Sequence, residues 1–126
     1  MTKYLAVAGG SALGGMLRYF LGTTLLSRAA APFPAATFVI NVTGSFIVGF
    51  FLTLATERLQ VSAHLRLAVA VGFVGAYTTF STFEYETLRL AEEHSFQLAL
   101  LNVFLSVVVG FAAVWGGARL ARAVEA

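Results

Sequence analysis

Two runs of this chain are too long and too poor in charge for a water-soluble fold. Phe96 to Ala118 passes 23 residues, and Ala35 to Thr56 passes 22, without one Asp, Glu, Lys or Arg. About 20 apolar residues is the length of helix that crosses the hydrocarbon of a bilayer. In that solvent every backbone N–H and C=O needs a protein partner, which leaves helices as the natural spanning element for short runs of this kind. Over the whole chain 59% of residues are hydrophobic and 11% charged, against about 25% charged in a soluble domain. The class is an all-α integral membrane protein in a single domain, 1–126.

Two further runs complete a set of four spans, at about 4–26, 35–56, 67–90 and 96–118. The N-terminus resembles a secretion signal, with Lys3, an apolar stretch and Ala29-Ala30-Ala31. The stretch is longer than the roughly 7–15 residues of a signal core and carries Arg18, so it is read as a retained first span. Gly10, Gly14, Arg18 and Gly22 recur at every fourth residue and share a helical face. Small residues at that spacing let another backbone approach, so the glycines predict helix packing. Arg18 either snorkels to the nearer headgroups or faces protein or water as part of a site.

Pro32 and Pro34 end the first loop, Ser27 to Pro34. In the second span Asn41, Ser45 and Gly49 form one small, polar face, and Asn102, Ser106 and Gly110 repeat the pattern in the fourth. Such faces either glue helices together or line a pore. His64 and His94 lie in the loops 57–66 and 89–95, with no second ligand at metal spacing. Trp115 suits an interfacial anchor. With no cysteine there is no disulfide or thiol chemistry. The scattered basic residues make no nucleic-acid surface.

The third span departs from the others. Only 17 residues, Leu67 to Phe83, are free of charge, and from Gly72 to Glu86 the run fills with glycines, hydroxyls, rings and finally carboxylates. Such a segment predicts a helix broken near 75–79, because irregular backbone at membrane depth persists only in protein or against a cavity. A break strips carbonyl oxygens of their helical donors, and such oxygens suit a small hard cation. Phe80 and Phe83 share a face of the resumed helix, among the hydroxyls of Tyr77, Thr78, Thr79, Ser81 and Thr82. Hydroxyl and amide donors favour an anion, as do the electropositive rims of aromatic rings. No carboxylate lies mid-span, Glu84 and Glu86 coming at the end of the broken one, which disfavours coupling to protons. Four short helices cannot enclose a wide pore, so a path is narrow or runs between subunits. No nucleophile, base and orienting group assemble within the spans, and an enzyme is not expected.

With four spans, Lys3, Arg58, Arg66, Arg119 and Arg122 share one side against Arg28 and Arg89, which places both termini in the cytoplasm.

Gly9-Gly10 through Gly14 to Arg18-Tyr19, Asn41 with Gly44-Ser45-Phe46 and Gly49-Phe50, and the run Gly75 to Phe83 together resemble the bacterial fluoride channel family, Fluc or CrcB. The likeness covers the whole chain, and the third-span motif is its most specific part. It implies passive fluoride export across the bacterial inner membrane by an antiparallel, dual-topology dimer. It also implies a structural sodium ion (Na+) at the dimer centre, held by main-chain carbonyls of Gly75 and Thr78 from each subunit. The pore residues it implies are Asn41, Phe80, Phe83, Ser81, Thr82 and Ser106, with Arg18, Ser45, Asn102, Tyr77, Thr79 and Glu86 as further pore or packing candidates. Some members carry a tyrosine and a second hydroxyl where this chain has Asn102 and Gly110. The charge bias fits the alternative in which a homologous partner subunit, not a second copy, completes the dimer. The rival readings are a small multidrug-type exporter, which needs a glutamate where the first span has only Arg18, and a non-transporting membrane subunit. The second explains Asn41, Ser45 and Ser106 but not the crowded third span.

Overall fold

In the computed structural model, which describes residues 1–25 and 32–124, every regular element is helical and no strand occurs among the described residues. Helix α1, Thr2–Phe20, runs on through a wider π turn, Leu21–Leu25. Helix α2, Ala35–Thr53, ends in a similar turn, Leu54–Arg58. Helix α3 covers residues 63–77, with its middle, Leu67–Val74, wound in π geometry. Helix α4 is Phe80–Glu93 and α5 is Phe96–Ala123. Among the described residues three stretches are long and apolar enough to cross a membrane: Ala35–Arg58, the combined α3–α4 stretch Ala63–Glu93, and Phe96–Ala123. The expected end of the first span at residue 26, and residues 27–31 of the first loop with Arg28, lie outside the described residues.

Serine caps move two expected boundaries. Ser62 accepts a hydrogen bond from the Leu65 N–H at 3.2 Å, satisfying one of the orphan donors at a helix start. Helix α3 therefore begins at Ala63, inside what the sequence reads as a loop. Ser95 does the same for the Leu98 N–H at 3.1 Å, and α4 runs on to Glu93, so the loop shrinks to His94 and Ser95.

Glycines set the helix contacts. A Cβ built on Gly10 would stand 1.9 Å from the Ala68 carbonyl oxygen, and one on Gly14 would stand 2.1 Å from that of Phe73. From the other side, a Cβ on Gly72 would meet the Val7 carbonyl oxygen at 2.6 Å, so α1 and α3 touch backbone to backbone. Gly49 and Gly117 do the same for α2 and α5, at 2.3 Å from the carbonyl oxygens of Val114 and Phe46. Between helices in lipid the attraction is van der Waals packing rather than the hydrophobic effect, so closeness of approach is what holds the bundle. Gly22, on the α1 face expected to pack, meets nothing. Only 22%, 17% and 17% of the three spanning windows are buried inside the chain, which leaves most of their apolar surface for lipid or another subunit.

At one end, Arg122 grips Glu57 through two bonds of 2.8 and 2.9 Å. Arg58 donates to the Arg122 carbonyl oxygen, and Arg66 donates to that of Ala55 at 2.7 Å. These bonds tie the ends of α2 and α5 to the start of α3. Asn102 is fully buried and donates to the Thr87 hydroxyl at 2.9 Å, a packing contact between α5 and α4.

Helix α3 ends at Tyr77. Thr78 (φ −81°, ψ 158°) and Thr79 (φ −150°, ψ 114°) are extended, and the helix resumes at Phe80. Gly75 itself keeps helical angles, φ −61° and ψ −33°, so the interruption falls on two threonines rather than on the glycine. The Thr79 hydroxyl caps α4, accepting from the Thr82 N–H at 3.3 Å and donating to the Thr82 hydroxyl at 2.9 Å.

Two outcomes follow from these contacts. Gly14→Ala should destabilise the detergent-solubilised protein by about 1–3 kcal/mol, the usual cost of overpacking, whereas Gly9→Ala, whose Cβ meets nothing within 4 Å, should be neutral; thermal unfolding of both reads the difference. Thr79→Ala should cost about 1 kcal/mol through loss of the cap, and Thr79→Ser should keep most of it; chemical unfolding of the pair checks this.

Candidate functional site

In a continuous helix the Thr79 N–H would close on the Gly75 carbonyl, and the Thr82 N–H on that of Thr78. Here the Thr79 N–H is donated across to α2, to Asn41 Oδ1 at 2.8 Å. The same side chain returns a bond, Asn41 Nδ2 donating to the Thr79 carbonyl oxygen at 3.0 Å. The Thr82 N–H goes to the Thr79 hydroxyl. The carbonyls of Gly75 and Thr78 thereby lose their helical donors, while the backbone between them stays tied down.

The end of α3 is fixed independently. Tyr77 is buried, its hydroxyl shares a 2.8 Å hydrogen bond with Thr43, and its ring stacks on Phe73 with centroids 5.8 Å apart. Thr78 donates through Oγ1 to the Val74 carbonyl oxygen at 2.9 Å. Gly44 lets α2 come this near, since a Cβ there would stand 2.2 Å from Thr78 Cγ2.

Around the break lies an open cavity of about 320 Å³, and Asn41, Ser45, Thr78, Phe80, Phe83 and Ser106 line it. Among the described residues no charged side chain borders it. The Phe80 and Phe83 rings stand 5.8 Å apart and tilted by 43°. Phe83 is 8% exposed and Phe80 is 74% exposed, so one ring is held by this chain and the other projects from it. An amide, hydroxyls and ring rims offer hydrogen-bond donors and partial positive charge without a full charge.

A second cavity, of about 430 Å³, holds Arg18, Thr23, Thr37, Thr82 and Glu86, and Thr79 lines both. Glu86 Oε2 is buried with no hydrogen-bond partner among the described residues. Arg18 makes no ion pair among the described residues.

The structure thus gathers Asn41, Ser45, Thr78, Thr79, Phe80, Phe83 and Ser106 at one cavity, and Arg18, Thr82 and Glu86 at the other. Ser81 is exposed and lines neither. Asn102 and Tyr77 are packed away from both. Sequence reasoning passes over Thr37 and Thr43. Neither stands out there, because a threonine in a helix commonly bonds its own backbone, as Thr43 also does to the Val39 carbonyl at 2.7 Å. Among the described residues no group of three or more His, Cys, Asp or Glu is placed to hold a metal.

Comparison with known proteins finds relatives over nearly the whole length of the chain. Residues 5–118 match the family described as CrcB-like protein, Camphor Resistance (CrcB). A protein of Solibacter usitatus named fluoride-specific ion channel FluC is 52% identical over 120 residues, covering 95% of this chain and 98% of that one. Its namesake from Acidobacterium capsulatum is 49% identical over 115 residues, covering 91% and 92%. A third, from Sulfurihydrogenibium, is 41% identical over 122 residues, covering 97% and 98%. The chain is a multi-pass membrane protein and belongs to the CrcB-like family.

Proposed function

We propose that the protein is a fluoride-selective channel that lets fluoride leave the bacterial cytoplasm passively. The observation that carries this reading is the uncharged cavity at the helix break, in a chain 52% identical to a protein named fluoride-specific ion channel. Fluoride is small and strongly hydrated, and a path for it must replace water with donors on every side. The Asn41 amide, the hydroxyls of Ser45 and Ser106, and the rims of Phe80 and Phe83 are of that kind. Arg18 at the second cavity draws anions toward Thr79 and Thr82, and a lack of fixed positive charge in the first lets them leave again.

The working unit in this reading is four spanning helices per subunit, residues 1–126 as one domain, with α3 and α4 forming a single interrupted span and two subunits packed antiparallel. The exposure of Phe80, at 74%, supports a pore completed by a second subunit, either another copy or a homologous chain. Sodium fits the chemistry of the break. Backbone oxygen is a hard ligand, and the carbonyls of Gly75 and Thr78 are among those released from the helical ladder. Bound there from both subunits, the ion would neutralise facing carbonyl dipoles and hold the interface, which is a structural role and not part of conduction.

In liposomes the purified protein should release fluoride far faster than chloride without an imposed proton gradient, as read with ion-selective electrodes; equal rates for the two would exclude the proposal. Phe80→Ile and Phe83→Ile should each lower fluoride flux by about tenfold or more, equivalent to about 1.4 kcal/mol in the barrier, with the dimer intact by size-exclusion chromatography.

A further inference from the structure

We propose that Asn41 is a positioning residue for the cation site at the helix break, as well as part of the cavity wall, so that one side chain sets both. This rests on the reading of Gly75 and Thr78 as cation ligands given above. The Gly75 carbonyl has two competing uses. It can accept the Thr79 N–H and extend α3 by one rung, or it can face a cation. The choice is made at Thr79, whose N–H lies 2.8 Å from Asn41 Oδ1 and whose carbonyl oxygen lies 3.0 Å from Asn41 Nδ2.

A primary amide carries a donor and an acceptor side by side. Asn41 therefore meets Thr79 as a neighbouring strand would, and holds its backbone extended. Without that clamp, the orphaned Thr79 N–H has one nearby acceptor to return to, the Gly75 carbonyl. The return would remove a ligand from the cation site without any change in the ligand residue itself. The amide keeps a second N–H on Nδ2, and Asn41 also lines the cavity beside Phe80 and Phe83. The cation site and the anion path are thus joined through a single planar group, and by reciprocity a ligand at either one shifts the affinity of the other by the same factor.

The test measures how much sodium the detergent-solubilised dimer needs to stay assembled, with sodium replaced stepwise by N-methylglucamine and assembly read by size-exclusion chromatography. Asn41→Ala should raise the requirement about tenfold, the size expected for the net loss of about one hydrogen bond. Ser106→Ala, which lines the same cavity from α5 but has no hydrogen bond to the break, should keep the wild-type requirement. A wild-type sodium requirement in Asn41→Ala overturns the inference and leaves the sodium site standing. A wild-type dimer indifferent to sodium overturns both. Should Asn41→Ala form no dimer, hydrogen–deuterium exchange at the Thr79 amide of the unaltered protein decides the matter. Greater protection on adding sodium supports the clamp, and exchange that ignores sodium overturns it.

Discussion

Hydrocarbon offers no partner to a stranded backbone group, and each one left unpaired there costs several kcal/mol. Interrupting a helix at Thr78 and Thr79 would strand a turn of N–H groups and a turn of carbonyls. The exchange of two hydrogen bonds between Asn41 and Thr79 is what makes the interruption tolerable. Much of the rest serves to bring that amide to that backbone. Gly44 clears the space against Thr78, Tyr77 anchors the end of α3 through Thr43, and Thr79 restarts the helix through its own hydroxyl. The Thr79 and Thr82 donors are thereby answered within the chain. The acceptor side, at Gly75 and Thr78, is where the proposed cation would act.

The bundle is held by closeness rather than by bulk. Gly10, Gly14 and Gly72 bring α1 onto α3, and Gly49 and Gly117 bring α2 onto α5. Each contact sets a glycine against a carbonyl, so the interfaces are sensitive to a single methyl group. Several large side chains point the other way: Leu13, Phe104 and Phe111 are all exposed on the outer surface. That division suits a subunit whose surroundings are lipid and another subunit, with its own interior kept thin.

Much of this was legible in the sequence. Charge-free runs mark the three stretches long and apolar enough to span among the described residues, and the crowding of hydroxyls and rings between Gly72 and Glu86 marks the cavity at the break. Asn41, Ser45 and Ser106 stand out as polar positions on apolar helices, and all three reach the cavity. Face arithmetic fails in the finer detail for an identifiable reason. Residues four apart advance by slightly more than one turn, so a row of them slants around the helix. The row Asn41, Ser45, Gly49 accordingly starts at the cavity and ends against Val114, and the row Asn102, Ser106, Gly110 starts buried against Thr87 and passes the cavity only at Ser106. Ser81 and Thr82 are neighbours about 100° apart around the helix that restarts at Phe80, and only Thr82 reaches a cavity. The break falls within the expected 75–79, at Thr78 and Thr79, and the residue that holds it there, an asparagine arriving from another helix, is invisible in the local sequence.

Thr79 stands between the two cavities, a partition one residue thick. Its hydroxyl is occupied twice, as acceptor for the Thr82 N–H and as donor to the Thr82 hydroxyl, and its backbone is occupied on both sides by Asn41. A wall this thin would ordinarily be soft, since a lone threonine rotor turns freely. Here every polar atom of the residue is already in use, and the stiffness of the partition is borrowed from the helix it begins and the helix it leans on.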